Sequence, residues 1–203
     1  MEGQRTILFI NACVRQGSRT QMLAQELLAK LLEEAQFNPE VDALDAPRTS
    51  VIEVKLEDIE FPVTDEAFLN RRDALIEAGD FGDESFALAR QFAEADTIVI
   101  AAPYWDLSFP ASLKHYIETI NVLGVTFEYT PEGFPKGLCR ADKLYYVMTA
   151  GGDFVPDEYG FGYIKTLAQN FYGIQEVELI KTTGLDIYGA DPEAIIKRAI
   201  DEL

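Results

Sequence analysis

The sequence predicts an α/β fold: a parallel sheet with helices on both faces. Strand-length apolar runs alternate with helical stretches five times, the pattern of successive βα units. Three of the runs, TILFINAC (6–13), TIVIAAPYW (97–105) and KLYYVMTAGG (143–152), are apolar almost throughout. Strands covered on both faces read this way. Two more, VIEVKLEDI (51–59) and EVELIKTTG (176–184), carry charges, as strands at a sheet edge can.

The elements follow in order. The first strand ends in a polar turn, and a helix is expected over 18–36. Its Leu23, Leu27 and Leu31 form one stripe, with Leu28, Leu32 and Ala35 beside it. In the second strand Ile52, Val54 and Leu56 share one side and Glu53 and Lys55 the other. A long connection carries a short helix over 65–78, and a further helix is expected over 84–95. The third strand leads to a helix over 110–122. The fourth leads to a helix over 157–173, where Asp157 and Glu158 suit the positive end of the helix dipole. The fifth strand precedes a closing helix over 191–202, with Asp191 as N-cap and Pro192 at the first helical position. Placing the charged strands at the edges gives the order 2-1-3-4-5. This is a flavodoxin-like doubly wound five-stranded parallel sheet, whose ligand crevice lies at the carboxyl ends of strands one and three. One domain over residues 1–203 is expected.

The net charge of −18 argues against nucleic acid and anionic membranes as partners, since both need a basic face. No apolar run approaches the roughly 20 residues that span a bilayer. The amino-terminal stretch lacks the features of a secretory signal. Cys13 and Cys139 are too few for a disulfide framework and form no CxxC pair, so a cytoplasmic location is expected. The single histidine, His115, sits on a predicted helix and is assigned to the surface or an interface; no metal site is expected. Cys13 ends a buried strand and reads as packing. Cys139, with Arg140 adjacent, reads as a spectator thiol.

Three loops leave the carboxyl ends of strands one, three and four. The first, NACVRQGSRTQ, opens a helix. Its unpaired N–H groups and the positive end of the helix dipole suit a phosphate. Ser18 and Thr20 add hydroxyls, Arg19 adds charge, and Gly17 lets the chain turn closely. The Lys of a Walker loop and the GxGxxG of a dinucleotide fingerprint are both absent, so neither ATP nor a Rossmann NAD site is supported. The second loop, Pro103, Tyr104, Trp105, Asp106 and Leu107, sets two large aromatics at a strand end and suits a flat ring. The third, Thr149, Ala150, Gly151 and Gly152, lets backbone approach a ligand. A phosphate at the first loop and a flat ring at the other two describe FMN.

At these residues the chain resembles the FMN-dependent NADH-azoreductases, which are flavodoxin-like quinone reductases. The likeness is strongest over IVIAAPYWDLSFPASLKHYIETINVLGVTFEYTPEGFPKGL (98–138). TAGG and GIQEVELIKTTG follow the family layout, and residues 37–90 match in outline. The resemblance implies that Ser18, Arg19 and Thr20 hold the FMN phosphate. Pro103, Tyr104, Trp105, Asp106 and Leu107 would run along the isoalloxazine, with Thr149, Ala150, Gly151 and Gly152 at its pyrimidine edge. It implies hydride transfer from NADH or NADPH through FMN to a quinone or azo compound by a ping-pong mechanism, with no protein acid or base required. It also implies a homodimer in which aromatics of 122–134 and 161–172 reach a site, some from the other subunit. Three departures stand out. Ala12 and Cys13 occupy a position where Ser is usual, Asp106 replaces a common Asn, and Thr149-Ala150 replaces a pair that often contains Ser. A carboxylate at Asp106 close to the ring would oppose negative charge on it. Arg15, Arg71 and Arg72 are the candidates to meet a 2′-phosphate. The alternative is a flavodoxin-type electron carrier serving protein partners, which the long aromatic insert at 122–138 disfavours.

Overall fold

The protein, as a computed structural model, is described over residues 4–36 and 48–203. Residues 37–47, part of the stretch that matches the family only in outline, lie outside the described residues. The chain runs β1 (Gln4–Asn11), α1 (Arg19–Gln36), β2 (Arg48–Lys55), α2 (Glu66–Ala78), α3 (Ala87–Glu94), β3 (Thr97–Ala101) and α4 (Ala111–Ile120). It continues through β4 (Phe127–Tyr129), β5 (Pro135–Gly137), β6 (Lys143–Thr149), α5 (Phe161–Leu167), β7 (Glu176–Thr182) and α6 (Pro192–Asp201). Five strands form a parallel sheet in the order β2-β1-β3-β6-β7, with the charged strands at the edges as their patterning required.

The central strands bury both faces. Leu8 and Ile10 of β1 join Ile98, Ile100, Leu144 and Tyr146 on one side, packed against Phe92 of α3 and Leu113 and Tyr116 of α4. Ile7 and Phe9 join Val99, Ala101 and Val147 on the other, beneath Leu23, Leu27 and Leu28 of α1, with Ala199 and Ile200 of α6 alongside. The two-residue alternation of a strand divides the core into these two layers. Helix ends follow local chemistry. Asp65 accepts from the Phe68 N–H at 2.8 Å and Gly79 ends α2 with φ of 68°. Asp191 accepts from the Ala194 N–H at 3.1 Å ahead of Pro192.

The structure moves several boundaries. β1 begins at Gln4 and ends at Asn11, β2 begins at Arg48 and gives way to a 3-10 turn at Leu56–Asp58, and β3 stops at Ala101. The apolar runs continue past the strands because their ends remain buried: Ala12, Cys13 and Ala102 are all under 6% exposed. The helix expected from 157 starts at Phe161 and closes with a π turn over Ala168–Tyr172. Asp157 does not begin a helix. Its carboxylate pairs with Lys181 at 2.8 Å and its carbonyl accepts from the Gly162 N–H.

The insert at 122–138 folds into the antiparallel hairpin β4–β5, a separate two-stranded sheet. Pro131-Glu132-Gly133 form its turn, with Gly133 at φ of 86°. Phe127 packs on Phe171, ring centroids 5.1 Å apart, and Gly137 lies against the backbone of Tyr172 and Gly173. A Cβ at Gly137 would overlap the Tyr172 carbonyl carbon and the Gly173 nitrogen, backbone atoms with no rotamer to escape into. Gly137→Ala is therefore expected to lower stability by about 1–3 kcal/mol, read as a drop in the thermal midpoint. An unchanged midpoint would mean that the hairpin does not rest on the π turn. Among the described residues no helix is long and apolar enough to cross a membrane.

Candidate active site

The carboxyl ends of β1, β3, β6 and β7 open onto one crevice of about 500 Å³. Backbone hydrogen bonds continue from the sheet into the loops, one residue past the strands at Ala12, Ala102 and Ala150 and three past β3 at Tyr104, and fix the crevice walls. Ala12 N–H donates to Ala101, Ala102 to Val147, Tyr104 to Thr149 and Ala150 to Thr182, at 2.9–3.1 Å.

The first wall is Val14 to Thr20. Asn11, 3% exposed at the end of β1, anchors it: Nδ2 donates to Glu53 Oε1 at 2.9 Å and Oδ1 accepts from the Cys13 N–H at 3.0 Å. Gly17 reverses the chain at φ of 70°, a conformation costly for other residues. Ser18 caps α1, its Oγ accepting from the Gln21 N–H at 3.3 Å and its carbonyl from Met22. The N–H groups of Arg19 and Thr20 have no protein partner among the described residues. They leave a pair of donors at the positive end of an 18-residue helix. The Thr20 hydroxyl faces a partner in the third loop, and either hydroxyl can be the donor. It is buried and shares a hydrogen bond with the Thr149 hydroxyl at 2.7 Å, tying the first loop to the third.

The second wall is Pro103, Tyr104 and Trp105. Trp105 and Ser108 exchange backbone hydrogen bonds of 3.0 and 2.8 Å around a two-residue turn. Asp106 and Leu107 take φ of 51° and 69°, the positive values of a type I′ turn. Leucine is a poor occupant of that region, where strain costs on the order of 1–3 kcal/mol. The turn carries Asp106 and Leu107 out to solvent, and neither lines the crevice. Ser108 Oγ donates to the Tyr159 carbonyl at 2.7 Å and steadies the turn from below. The Tyr104 hydroxyl is enclosed without a partner among the described residues. Burial, then the carboxylate of Asp157, holds its pKa above the ordinary tyrosine range.

The third wall is Thr149, Ala150 and Gly151, while Gly152 lies outside the crevice, its carbonyl accepting from Gly184 at 3.2 Å. A fourth wall, Leu185 and Asp186, was missed by reading only the loops after strands one, three and four. The signal was in TTGLDIYG: a glycine and an acid just past the fifth strand, which neighbours the fourth. Asp186 Oδ1 pairs with Arg19 Nη1 at 2.8 Å. A Cβ on Gly151 would meet the Asp186 carboxylate, so a larger residue there would displace that side chain from its present position.

The remaining candidates lie elsewhere or are inert. Arg15 lines the crevice, but Arg71 and Arg72 border a separate groove beside α2, with Arg71 paired to Asp83 at 3.3 Å. His115 is half-buried and stacks on Phe61, centroids 4.6 Å apart. Burial pushes the Cys13 thiol up to about 11 and the Cys139 thiol up to about 12. Arg140 does not activate Cys139, because its guanidinium is held 2.9 Å from Asp96. Both thiols are expected to react slowly with a disulfide reagent at pH 8 in the native protein and rapidly once unfolded. The folded protein also keeps these protons where the unfolded chain releases them. That contribution is intact below the ordinary thiol pKa of about 9 and is lost as pH rises toward 11–12. Fast native labelling at pH 8 would contradict this.

Sheet order and crevice together define a doubly wound α/β protein with an open crevice at the topological switch point, where such folds bind ligands. The chain belongs to the flavodoxin-like fold family, whose profile matches residues 5–203. It is 47% identical over 111 residues to an FMN-dependent NADH:quinone oxidoreductase of Lachnoclostridium phytofermentans, a match covering 54% of this chain and 55% of that protein. Over that alignment the chain thus spans about half the relative's length. A second protein of that name, from Caldicellulosiruptor saccharolyticus, is 32% identical over 203 residues, covering 97% of this chain and 94% of the relative. The crystal structure of an azoreductase from Bacillus anthracis superposes with a TM-score of 0.79 at 27% identity, covering 98% and 96% of the two chains.

Proposed function

We propose that this protein is an FMN-dependent oxidoreductase that passes electrons from NADH to quinones or azo compounds. The observation that carries the reading is the crevice itself, where free N–H donors at the start of α1 face the same space as the exposed indole of Trp105. The fit to FMN is chemical. The donors of Arg19 and Thr20, the Ser18 hydroxyl and the Arg19 guanidinium suit the phosphate. Trp105 and Tyr104 offer apolar surface to a flat ring, and Thr149, Ala150 and Gly151 offer backbone polar groups at its edge. Asp106, Leu107 and Gly152 belong to the same loops and would shape them from outside the crevice. A volume of about 500 Å³ is within the range of small-molecule sites. The names of the relatives support NADH as donor and a quinone or azo compound as acceptor.

Bound FMN would supply the hydride chemistry. The chain's own part is to hold the tail, orient the ring and leave one face open. Trp105, 38% exposed, is positioned to wall that face. The proposed reaction would need no proton from the protein. Donor and acceptor would use one space in turn, which gives ping-pong kinetics. A single-domain, cytoplasmic homodimer completes the proposal. Tyr129 and Phe134 on the hairpin, 54% and 69% exposed, are candidates for the contact between subunits.

The purified protein, mixed with FMN and gel-filtered, is expected to keep a flavin spectrum that NADH bleaches without oxygen and that a benzoquinone restores. A colourless protein, or a bound flavin that NADH leaves unbleached, would contradict the proposal.

A further inference from the structure

Arg19 and Asp186 form an ion pair whose place in the fold is not explained by stability. Their side chains are 40% and 69% exposed, and pairs so open to water contribute little to folding. Yet Asp186 is firmly placed. Its N–H donates to the Gly151 carbonyl at 2.9 Å, and Leu185 N–H donates to Ala150 at 3.3 Å. Gly151 leaves open the space the carboxylate occupies. The backbone of two loops therefore builds a carboxylate into the crevice wall, 2.8 Å from Arg19. Arg15 supplies the other cation of the wall.

The consequence is electrostatic. An anion arriving at the start of α1 meets a guanidinium whose charge a fixed carboxylate already offsets. Arg19 uses one nitrogen on Asp186 and keeps donors for a second partner, so the site still accepts an anion. The repulsion between that anion and Asp186 remains, and the −18 charge of the chain adds to it.

We propose that Asp186 limits how tightly the crevice grips the phosphate end of its ligand, so that retention of FMN rests mainly on the ring and the cofactor is exchangeable. The inference rests on the FMN reading above. Asp186 thereby sets the preference for the phosphorylated over the unphosphorylated flavin.

The test compares dissociation constants for FMN and riboflavin, from quenching of flavin fluorescence, in the wild-type protein and in Asp186→Asn. Asparagine keeps an acceptor for Arg19 and removes the charge. FMN is expected to bind about three- to tenfold tighter to the variant at low ionic strength. Riboflavin is expected to bind as before, and the gain is expected to shrink as salt is added. Asp186→Ser, which removes the charge differently, is expected to move FMN in the same direction, and Asp186→Glu to behave like the wild type. FMN affinity unchanged or weakened in both neutral variants would overturn the proposal, as would an equal change for FMN and riboflavin. A wild-type protein that binds neither flavin would remove the FMN reading and this inference with it. A wild type that binds FMN beside neutral variants with an unaltered FMN-to-riboflavin ratio would remove this inference alone.

Discussion

The parallel register of the sheet is the constraint on which the site depends. It brings the carboxyl ends of β1, β3, β6 and β7 to one edge, and backbone hydrogen bonds carry on into the loops through Ala12, Ala102, Tyr104 and Ala150. Four loops distant in sequence are thus fixed by backbone hydrogen bonds rather than by their own composition. The buried Thr20–Thr149 hydroxyl pair adds a side-chain link between the first turn of α1 and the end of β6. Such a bond contributes roughly 1 kcal/mol net, but stripping it from one side leaves a buried hydroxyl unpaired at about 1–3 kcal/mol.

The net charge of −18 works against an anionic ligand. With 35 acidic residues against 17 basic ones, attraction has to come from local groups. The start of α1 supplies free N–H donors and Arg19 supplies a cation, which Asp186 then offsets. The crevice is therefore a modest anion site beside an aromatic one, an arrangement suited to a ligand whose binding is shared between a charged tail and a flat ring.

Much of the architecture was legible because hydrophobic patterning reports burial. Runs apolar on both faces belonged to central strands, charged runs to edges, and the sheet order followed. Asp65, Gly79, Asp191 and Pro192 mark helix ends by chemistry visible in the sequence. What escaped depended on tertiary contact. The β4–β5 hairpin is short and is held by Gly137 against a π turn that has no periodicity of its own. Asp157 reads as a helix start, yet it lies in a loop, paired with Lys181 of β7. At the site, loop chemistry named residues but not their partners. Ser18 looked like a phosphate donor and is also the α1 cap, and the Thr20 hydroxyl is bonded to that of Thr149. Asp186 stood outside the loops that the switch-point rule singles out.

The claim that one crevice gathers phosphate and ring is tested most directly by a crystal structure of the protein soaked with FMN. The account predicts the phosphate within hydrogen-bond distance of the Arg19 and Thr20 N–H groups and the isoalloxazine against Trp105. Density for the nucleotide at the amino end of the sheet, or in the groove beside α2 with the α1 crevice holding only solvent, would contradict it.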